Sequence, residues 1–234
     1  MTLLVCDIAG TTINEDGIVY RQLRACVEEQ GATVTADQVN EVKGTEKRNA
    51  IITLLSADGS TPSTETVDRA HAAFLEGLQR EYAATPPRPI AGVEEVLQRF
   101  QQAGGKVALT TGFQRSIADI VLQAAGWGVR GSSSAPGLIV DALVTSDTVP
   151  AGRPAPYLIH NAMQLTETDS VAHVISVGDT VADLRAAANA GVRGIGVLTG
   201  SVSRETLEAE PHALVLDSLA DLPDQRSLNV PEFS

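Results

Sequence analysis

Six short apolar runs recur along the chain, and none of them alternates cleanly with polar residues. They are rich in Val, Ile and Leu, which is typical of parallel strands buried on both faces. Helical stretches separate several of these runs, and such alternation predicts an α/β fold with a doubly wound parallel sheet. The predicted strands are Leu3 to Cys6, Val107 to Leu109, Leu138 to Val144, Val174 to Val177, Gly194 to Leu198 and Ala213 to Leu216, and the helices are Val93 to Ala103, Arg115 to Ala125, Pro154 to Gln164 and Ala182 to Ala190.

Residues 17 to about 85 break this alternation, because their pattern predicts helices alone. Thr35 and Gln38 have the spacing of a capping box at one helix start. A Pro-rich segment, 85–92, closes the block. We therefore predict a catalytic core of residues 1–15 and 88–234, with an inserted helical cap domain of residues 16–87. The helices predicted within the insert are Tyr20 to Gln30, Thr35 to Val42, Glu46 to Ser56 and Thr64 to Ala83, and the tail 224–234 is expected to fray.

Charge and composition narrow the possible partners. The formal net charge is −12 and the pI is about 4.7, which argues against nucleic acid or an anionic membrane as a partner. Cys6 and Cys26 are too few for a disulfide framework, and Cys6 is expected to be a buried thiol. No apolar stretch reaches the roughly 20 residues that span a bilayer, and the N-terminus does not resemble a signal peptide. We expect a soluble cytoplasmic protein with a small-molecule ligand.

Reactive side chains follow several of the predicted strands. Asp7 ends the first predicted strand, and Thr110 to Gly112 follow the strand predicted from Val107 to Leu109. Asp179 follows a later strand with Asp183 four residues on, and Arg153 precedes a predicted helix. Ligands of parallel sheets bind at the carboxyl ends of the strands. Two such carboxylates, a hydroxyl and a cation at one rim therefore predict a site for phosphate and Mg²⁺, which prefers hard oxygen ligands.

Each of these residues also has an ordinary structural explanation. Asp179 and Asp183 are placed to cap the helix that follows, because "GDT" is a good helix start. A lone threonine at a strand end is commonly a simple hydroxyl, and Arg153 before "PAP" is commonly a solvated loop charge. The glycines of "GVRGIGVLTG" lack the G-x-G-x-x-G spacing, so a dinucleotide site is not predicted.

Taken together, "DIAGTT", "ALTTG", "GRPAP" and "VGDTVAD" resemble the haloacid dehalogenase superfamily of phosphohydrolases. The resemblance covers nearly the whole chain, and the helical insert is similar to the family's C1-type cap. It implies an aspartate nucleophile that carries the phosphoryl group as a covalent intermediate. The implied roles are Asp7 as nucleophile, Thr111 and Arg153 on the transferring phosphoryl group, Thr11, Gly44, Lys47 and Gly112 in substrate binding, and Asp7, the carbonyl of Ala9, Asp179 and Asp183 at Mg²⁺.

One position departs from most relatives. They carry a second aspartate two residues after the nucleophile, which protonates the leaving alkoxide, and here that position is Ala9. Loss of a general acid typically costs about 10²–10⁴ in rate. A substrate whose leaving group needs no such acid is therefore expected.

Within the superfamily, "D-x-A-G-T-T" resembles the phosphonatase branch, in which a cap lysine forms a Schiff base with an aldehyde and the C–P bond is then cut. Counting three residues from Gly44 assigns that role to Lys47. Lys43 and Arg48 flank it, and like charges favour the neutral amine that attacks a carbonyl. A lysine in such a charged run is otherwise commonly solvated, or it binds a substrate anion.

The branch also carries a histidine where this chain has Ala50, and a tryptophan where it has Ile8. Two alternatives therefore stay open: a phosphate-monoester phosphatase of the same family, and a sensor that binds a phosphate ligand with little turnover. A sugar-phosphate mutase is disfavoured, because it needs the acid that Ala9 replaces. By the same resemblance the chain is a monomer or a homodimer that pairs through the cap.

Overall fold

A computed structural model describes residues 2–14, 16–42, 45, 47–132 and 135–223. The predicted frayed tail, 224–234, lies outside this part of the chain. Strands and helices alternate through most of the described residues. The strands are β1 (Leu3–Asp7), β2 (Ile13–Asn14), β3 (Arg88–Pro89), β4 (Lys106–Thr110), β5 (Gly128–Val129), β6 (Ile139–Val140), β7 (Ala142–Val144), β8 (Val174–Gly178), β9 (Arg193–Val197) and β10 (Leu214–Leu216).

The helices agree with the predicted ones to within a few residues at their ends, and α9 is an addition. Ser203 caps this short helix, which was not predicted. The helix expected from Pro154 begins at Tyr157, after Pro156 at its N-cap position. The helices are α1 (Ile18–Glu28), α2 (Ala36–Glu41), α3 (Lys47–Leu55), α4 (Thr64–Ala84), α5 (Val93–Gln102), α6 (Arg115–Ala124), α7 (Tyr157–Leu165), α8 (Val181–Ala190) and α9 (Arg204–Glu208).

The central sheet has six strands in the order β10-β9-β8-β1-β4-β7, and every neighbouring pair is parallel. Side chains of β1 alternate between two apolar clusters, with Leu4 and Cys6 on one face and Leu3 and Val5 on the other. Both faces are thus buried, which explains why the strand lacks polar alternation. The predicted doubly wound α/β fold is confirmed. The strand order reverses between β1 and β8, because the chain adds β4 and β7 on one side of β1 and β8 to β10 on the other. The carboxyl ends of β1 and β8 therefore flank the switch point.

The run predicted as one strand from Leu138 to Val144 is two strands, β6 and β7, separated by Asp141. The carboxylate of Asp141 accepts hydrogen bonds from the N–H of Val107 and from Gln101. Arg130 donates to the same carboxylate. The strand is interrupted at Asp141, because its carboxylate accepts the N–H of Val107 in β4. On either side of it, β6 pairs with β5 outside the main sheet and β7 alone continues the main sheet. Periodicity does not register such a break.

The insert contains α1 to α4. The chain leaves and re-enters the core through β2 and β3, which pair antiparallel, so the Pro-rich linker contains a short strand that was not predicted. The capping box of Thr35 and Gln38 is confirmed at the start of α2. The division into a core of 1–15 and 88–234 and a cap of 16–87 stays a prediction, and the β2–β3 pair lies beside both of its boundaries.

The insert and the core share one continuous apolar cluster. Phe74 of α4 belongs to the same cluster as Leu97 of α5 and Ile117 of α6, and α4 packs directly against α6. Both Cys6 and Cys26 are buried free thiols, as expected for Cys6. Because the apolar contact is continuous, we expect the two parts to unfold together.

Replacing Phe74 by Ala tests this coupling. Its ring is fully buried in the insert, and such a truncation typically costs about 3–5 kcal/mol. The single tryptophan, Trp127, lies in the core, so urea unfolding followed by its fluorescence should report the full loss. Phe74→Leu is the control, with a loss below about 1.5 kcal/mol. An unchanged fluorescence transition, with an early phase seen only by circular dichroism, would show that the insert unfolds alone.

Candidate active site

The predicted reactive residues meet at the carboxyl edge of the sheet. Asp7 is the last residue of β1, Thr110 is the last of the neighbouring β4, and Asp179 follows β8 on the other side. Parallel pairing brings these three strand ends to the same edge. Each of the three side chains is at least nine-tenths buried. The structure therefore places these three side chains at one edge of the sheet, and their roles in a phosphate and Mg²⁺ site stay a prediction.

Arg153 lies at the centre of this rim. Its Nη2 is 2.6 Å from Asp7 Oδ1, and its Nη1 is 2.8 Å from Asp183 Oδ1. The same Nη2 donates to the backbone carbonyl and the hydroxyl of Thr110. Only 10% of the Arg153 side chain is exposed. Arg153 is therefore a buried bridge between two carboxylates, and the interpretation as a solvated loop charge is excluded.

Asp179 is held by the loops that surround it. The hydroxyl of Thr11 donates to Asp179 Oδ1 at 3.0 Å. A Cβ added to Gly10 would lie 2.7 Å from Asp179 Oδ2, and one added to Gly200 would lie 1.8 Å from it. Both glycines thus allow a backbone approach that no other residue permits. Thr11, expected to bind substrate, has its hydroxyl committed to positioning this carboxylate, and its contact with substrate stays a prediction.

Asp183 has two roles at once. It occupies the third position of α8 and completes a capping box with Thr180, the N-cap residue. Its other carboxylate oxygen forms the ion pair with Arg153. The capping explanation therefore holds for Asp183 without excluding a place in the site. It does not hold for Asp179, because Thr180 is the residue that caps α8.

Burial and mutual repulsion shift the protonation of these carboxyls. Burial raises the pKa of Asp7 to about 6, although Arg153 opposes the shift. Burial, with the charges of Asp7 and Asp183, raises the pKa of Asp179 to about 8, and the hydrogen bond from Thr11 opposes it. The pKa of Arg153 is raised by the same carboxylates despite its burial. Negative charge in the site thus exceeds what its arginine compensates.

This excess of acidic oxygen atoms fits a divalent cation. One oxygen each from Asp7, Asp179 and Asp183 lie within 4.8 Å of one another. With Arg153 the four groups carry a net charge of −2 when fully ionised, which a divalent cation would balance. Hard carboxylate oxygens suit Mg²⁺. The residues present therefore fit the metal that the sequence predicted, while a contribution from the Ala9 carbonyl stays a prediction.

The loop after β4 carries Thr111, predicted to bind the phosphoryl group, and Gly112, predicted to bind substrate. The hydroxyl of Thr111 accepts a hydrogen bond from the N–H of Phe113 at 3.1 Å. A hydroxyl that accepts from an N–H can still donate its own proton, so Thr111 retains the hydrogen that a phosphoryl oxygen would accept. Phe113 also accepts a hydrogen bond from the N–H of Ser146, which fixes this loop against the segment after β7.

Lys47 extends from the insert to this loop. Its side chain is only 1% exposed, so it is not a solvated surface lysine. Its Nζ donates to the carbonyl of Thr45 at 3.0 Å and lies 5.7 Å from the ring centre of Phe113. A second ring, that of Tyr20, is 5.2 Å from Nζ. The structure therefore brings the predicted lysine of the insert beside the predicted phosphoryl-binding loop.

The surroundings of Lys47 differ in part from the expectation. Arg48 forms an ion pair with Asp68 at 2.6 Å, so its charge is directed to α4. Gly44, predicted to bind substrate, and Lys43 lie outside the described residues. Ala50 and Ile8 are buried and apolar, so neither supplies the proton chemistry or hydrogen bonding of the histidine and tryptophan that the resemblance implies.

Sequence reasoning missed the rings that surround Lys47. The chain has only eight aromatic residues, counting one Trp, three Tyr and four Phe, and two of them lie within 6 Å of this one nitrogen. Phe113 directly follows the "TTG" segment, which was a usable signal. Tyr20 had no signal, because its position beside Lys47 depends on how α1 packs against α3.

Comparison with known proteins identifies the family of the chain. Residues 4–197 match the family described as haloacid dehalogenase-like hydrolase. A phosphonoacetaldehyde hydrolase of Parabacteroides distasonis is 30% identical, and the alignment covers 94% of this chain and 93% of the relative. A phosphonoacetaldehyde hydrolase of Bacillus cytotoxicus is 31% identical over 93% of this chain and 83% of the relative.

Solved structures share the fold at lower identity. A phosphonoacetaldehyde hydrolase-like protein of Oleispira antarctica superposes with a TM-score of 0.76 and 22% identity, covering 97% of this chain and 91% of that one. CbbY of Rhodobacter sphaeroides, solved with phosphate, gives a TM-score of 0.79 and 19% identity, covering 97% of this chain and 99% of that one.

Within the described residues, no helix combines the length and apolarity that crossing a membrane requires.

The raised pKa values predict how stability depends on pH and metal. Carboxyl pKa values are near 4 in the unfolded chain, but about 6 for Asp7 and about 8 for Asp179 in the folded protein. Between these values the folded protein holds protons that the unfolded chain has lost. The free energy of unfolding of the metal-free protein should therefore receive a contribution that is present below pH 4 and lost as pH rises to about 8. Melting temperatures in a chelator across this range measure it, and Asp179→Asn should flatten the fall.

Mg²⁺ should offset this loss. At 100 times its dissociation constant, a ligand of the folded state raises the melting temperature of a protein this size by about 5–10 °C. The rise should be larger at pH 8 than at pH 5, where protons compete for the carboxylates, and it should disappear in Asp179→Asn. Glu76→Gln, at an exposed carboxylate of α4, is the matched control. Equal Mg²⁺ effects in both variants would contradict the metal assignment.

Proposed function

Because the chain belongs to the haloacid dehalogenase-like hydrolases, we propose that it is a Mg²⁺-dependent, phosphonatase-like member that acts on a small phosphonate or activated phosphate. Asp7 would take up the phosphoryl group and then pass it to water. The observation that carries the proposal is the fully buried Lys47, whose Nζ lies 5.7 Å from the ring centre of Phe113 in the loop predicted to bind the phosphoryl group. Identity of about 30% to phosphonoacetaldehyde hydrolases supports the same substrate class.

The chain's own groups suggest how the transfer would proceed. The Asp7 carboxylate would attack phosphorus and form an aspartyl phosphate. Arg153, which bridges Asp7 and Asp183, and the hydroxyl of Thr111 would bind the oxygens of the transferring group. Bound Mg²⁺, which Asp7, Asp179 and the Ala9 carbonyl would hold and Asp183 would support, would supply electrostatic stabilisation of phosphoryl charge. Water would then cleave the aspartyl phosphate and release inorganic phosphate.

Lys47 would make carbon a leaving group. Its neutral amine would condense with a substrate aldehyde, with loss of water, to form an imine that is then protonated. When Asp7 attacks phosphorus, the C–P bonding electrons would move into the iminium and give an enamine. Protonation at carbon and hydrolysis would release the aldehyde product and restore the amine. This route needs no acid at position 9, which agrees with Ala9.

A second candidate is a phosphatase for phosphate monoesters with good leaving groups. It is favoured by the buried Ala50 and Ile8, because the branch's histidine and tryptophan are absent. In that case Lys47 would bind a substrate anion instead of forming an imine. Both candidates share Asp7 and the metal site, so the leaving group and the chemistry of Lys47 separate them.

Phosphate release from a panel of substrates tests the shared part. With Mg²⁺, acyl and aryl phosphates or phosphonoacetaldehyde should be hydrolysed far faster than alkyl and sugar phosphates, because no side chain at position 9 can protonate an alkoxide. Ala9→Asp should raise alkyl phosphate hydrolysis, and the isosteric Ala9→Asn should not. Asp7→Asn should abolish turnover. Efficient hydrolysis of sugar phosphates by the unmodified protein, or binding without any turnover, would contradict the proposal.

The imine is tested by trapping. The chain has three lysines, Lys43, Lys47 and Lys106, so a reduced adduct is readily located by peptide mass spectrometry. Borohydride added with phosphonoacetaldehyde should modify Lys47 and stop turnover. Lys47→Arg should lose at least a thousandfold in C–P cleavage, because a guanidinium cannot form the imine. Lys106→Arg, whose lysine donates to the Thr166 carbonyl at the other end of β4, is the control.

Retention of most activity by Lys47→Arg, together with no trapped adduct, would favour the phosphatase. That outcome would leave the roles of Asp7 and Mg²⁺ intact. Phosphate release from the substrate panel thus tests the reaction class, and trapping at Lys47 tests the leaving group.

A further inference from the structure

The amine of Lys47 lies within reach of two aromatic rings from different parts of the fold. The ring centre of Tyr20, in the first turn of α1, is 5.2 Å from Nζ, and that of Phe113, in the loop after β4, is 5.7 Å away. Lys47 itself begins α3. Three separate segments of the chain therefore meet at one nitrogen. Such distances are within the range over which ring faces attract a cation.

The two rings are attached differently. Phe113 is anchored by its backbone, since its N–H donates to Thr111 and its carbonyl accepts from Ser146. Tyr20 comes from the insert, three residues after Gly17, where α1 begins with a left-handed backbone conformation. Its position relative to Lys47 depends on the packing of α1 against α3. Of the two rings, Tyr20 is thus the one that belongs to the same insert as Lys47.

We propose that Tyr20 is a positioning residue, whose ring face holds the Lys47 amine against the loop of Thr111 and Phe113. The proposal rests on the function proposed above and names a determinant of its specificity. A ring face attracts an ammonium without the strong charge of a carboxylate, which would also repel a phosphonate. The contact holds Lys47 as an ammonium before substrate binds, and the nitrogen would lose that proton before it attacks a carbonyl carbon, because only the neutral amine forms an imine.

The proposed role belongs to the face of the Tyr20 ring. The ring face provides the attraction, so Phe at position 20 should serve as well as Tyr, whereas Leu or Met would fill the space without it. Loss of one such contact at a buried site corresponds to a change of roughly tenfold. The effect should appear only with substrates that engage Lys47, because Tyr20 acts through that residue.

Kinetics with phosphonoacetaldehyde and with p-nitrophenyl phosphate test this specificity. Tyr20→Leu should lower kcat/KM for phosphonoacetaldehyde by roughly tenfold or more and change that for p-nitrophenyl phosphate by less than about threefold. Tyr20→Phe should restore the phosphonate rate to within about threefold of the original. Tyr157→Leu, at an exposed tyrosine of α7, is the matched control. Tyr20→Met is the second variant if Tyr20→Leu fails to fold.

Nuclear magnetic resonance tests the contact without turnover. Lysine labelled with ¹³C at Cε gives three signals in this chain, which Lys→Arg replacements assign. Ring currents should shift the Lys47 signal, Tyr20→Leu or Tyr20→Met should move it toward the unshifted position, and Tyr20→Phe should not. The Lys106 signal should stay in place and reports that the fold is intact.

The outcomes separate the two proposals. If the unmodified protein does not cleave phosphonoacetaldehyde, the proposed phosphonatase activity fails, and the Lys47 signal still decides whether Tyr20 holds the amine. If phosphonoacetaldehyde is cleaved but Tyr20→Leu matches the original protein in rate, or leaves the Lys47 signal unmoved, the positioning role is overturned. An equal loss with both substrates, or no rescue by Phe, overturns it as well.

Discussion

Burial of three carboxylates around one arginine is the constraint on which this site depends. Asp7, Asp179 and Asp183 lie at the carboxyl edge of a sheet whose two faces are both covered, so water cannot solvate them as it does at a surface. Arg153 reaches two of them through separate nitrogens. Removing one partner from such a buried pair typically costs about 3–5 kcal/mol, because the other charge stays buried. Burial, together with the remaining negative charge, raises the pKa of Asp7 and Asp179. A divalent cation would neutralise that charge.

The local backbone is shaped to allow this crowding. Gly10 and Gly200 bring two loops so close to Asp179 that a side chain on either would collide with its carboxylate. Thr11 hydrogen-bonds the same carboxylate, and Asp183 completes a helix cap while it binds Arg153. One residue thus serves stability and the site together. Asp183 is therefore both a helix-capping residue and an ion-pair partner of Arg153, because the two oxygens of its carboxylate have different partners.

The insert adds a second type of buried charge. Lys47 is enclosed by rings of the insert and of the core, and it approaches the loop that carries Thr111. The proposed chemistry is shared by two parts of the chain: the core supplies the carboxylates and Arg153, and the insert supplies Lys47. The shared apolar cluster that joins α4 to α6 holds these parts in contact. In the proposed chemistry, the choice of leaving group would therefore depend on the packing between insert and core.

The sequence by itself determined the parallel sheet, the helices between residues 18 and 84 and the polar residues at the strand ends, because buried strands, helix periodicity and residues at strand ends are local patterns. It also determined that position 9 carries no acid. Only the tertiary structure decided that Arg153 bridges Asp7 and Asp183, that the run from 138 to 144 is two strands, and that Tyr20 and Phe113 enclose Lys47. These features join residues far apart in the chain, and no periodicity records which side chains meet when separate elements pack. The polar residues at the sheet edge could be predicted because strand order alone brings them together. The surroundings of Lys47 could not, because they depend on how α1 and α3 pack against the core.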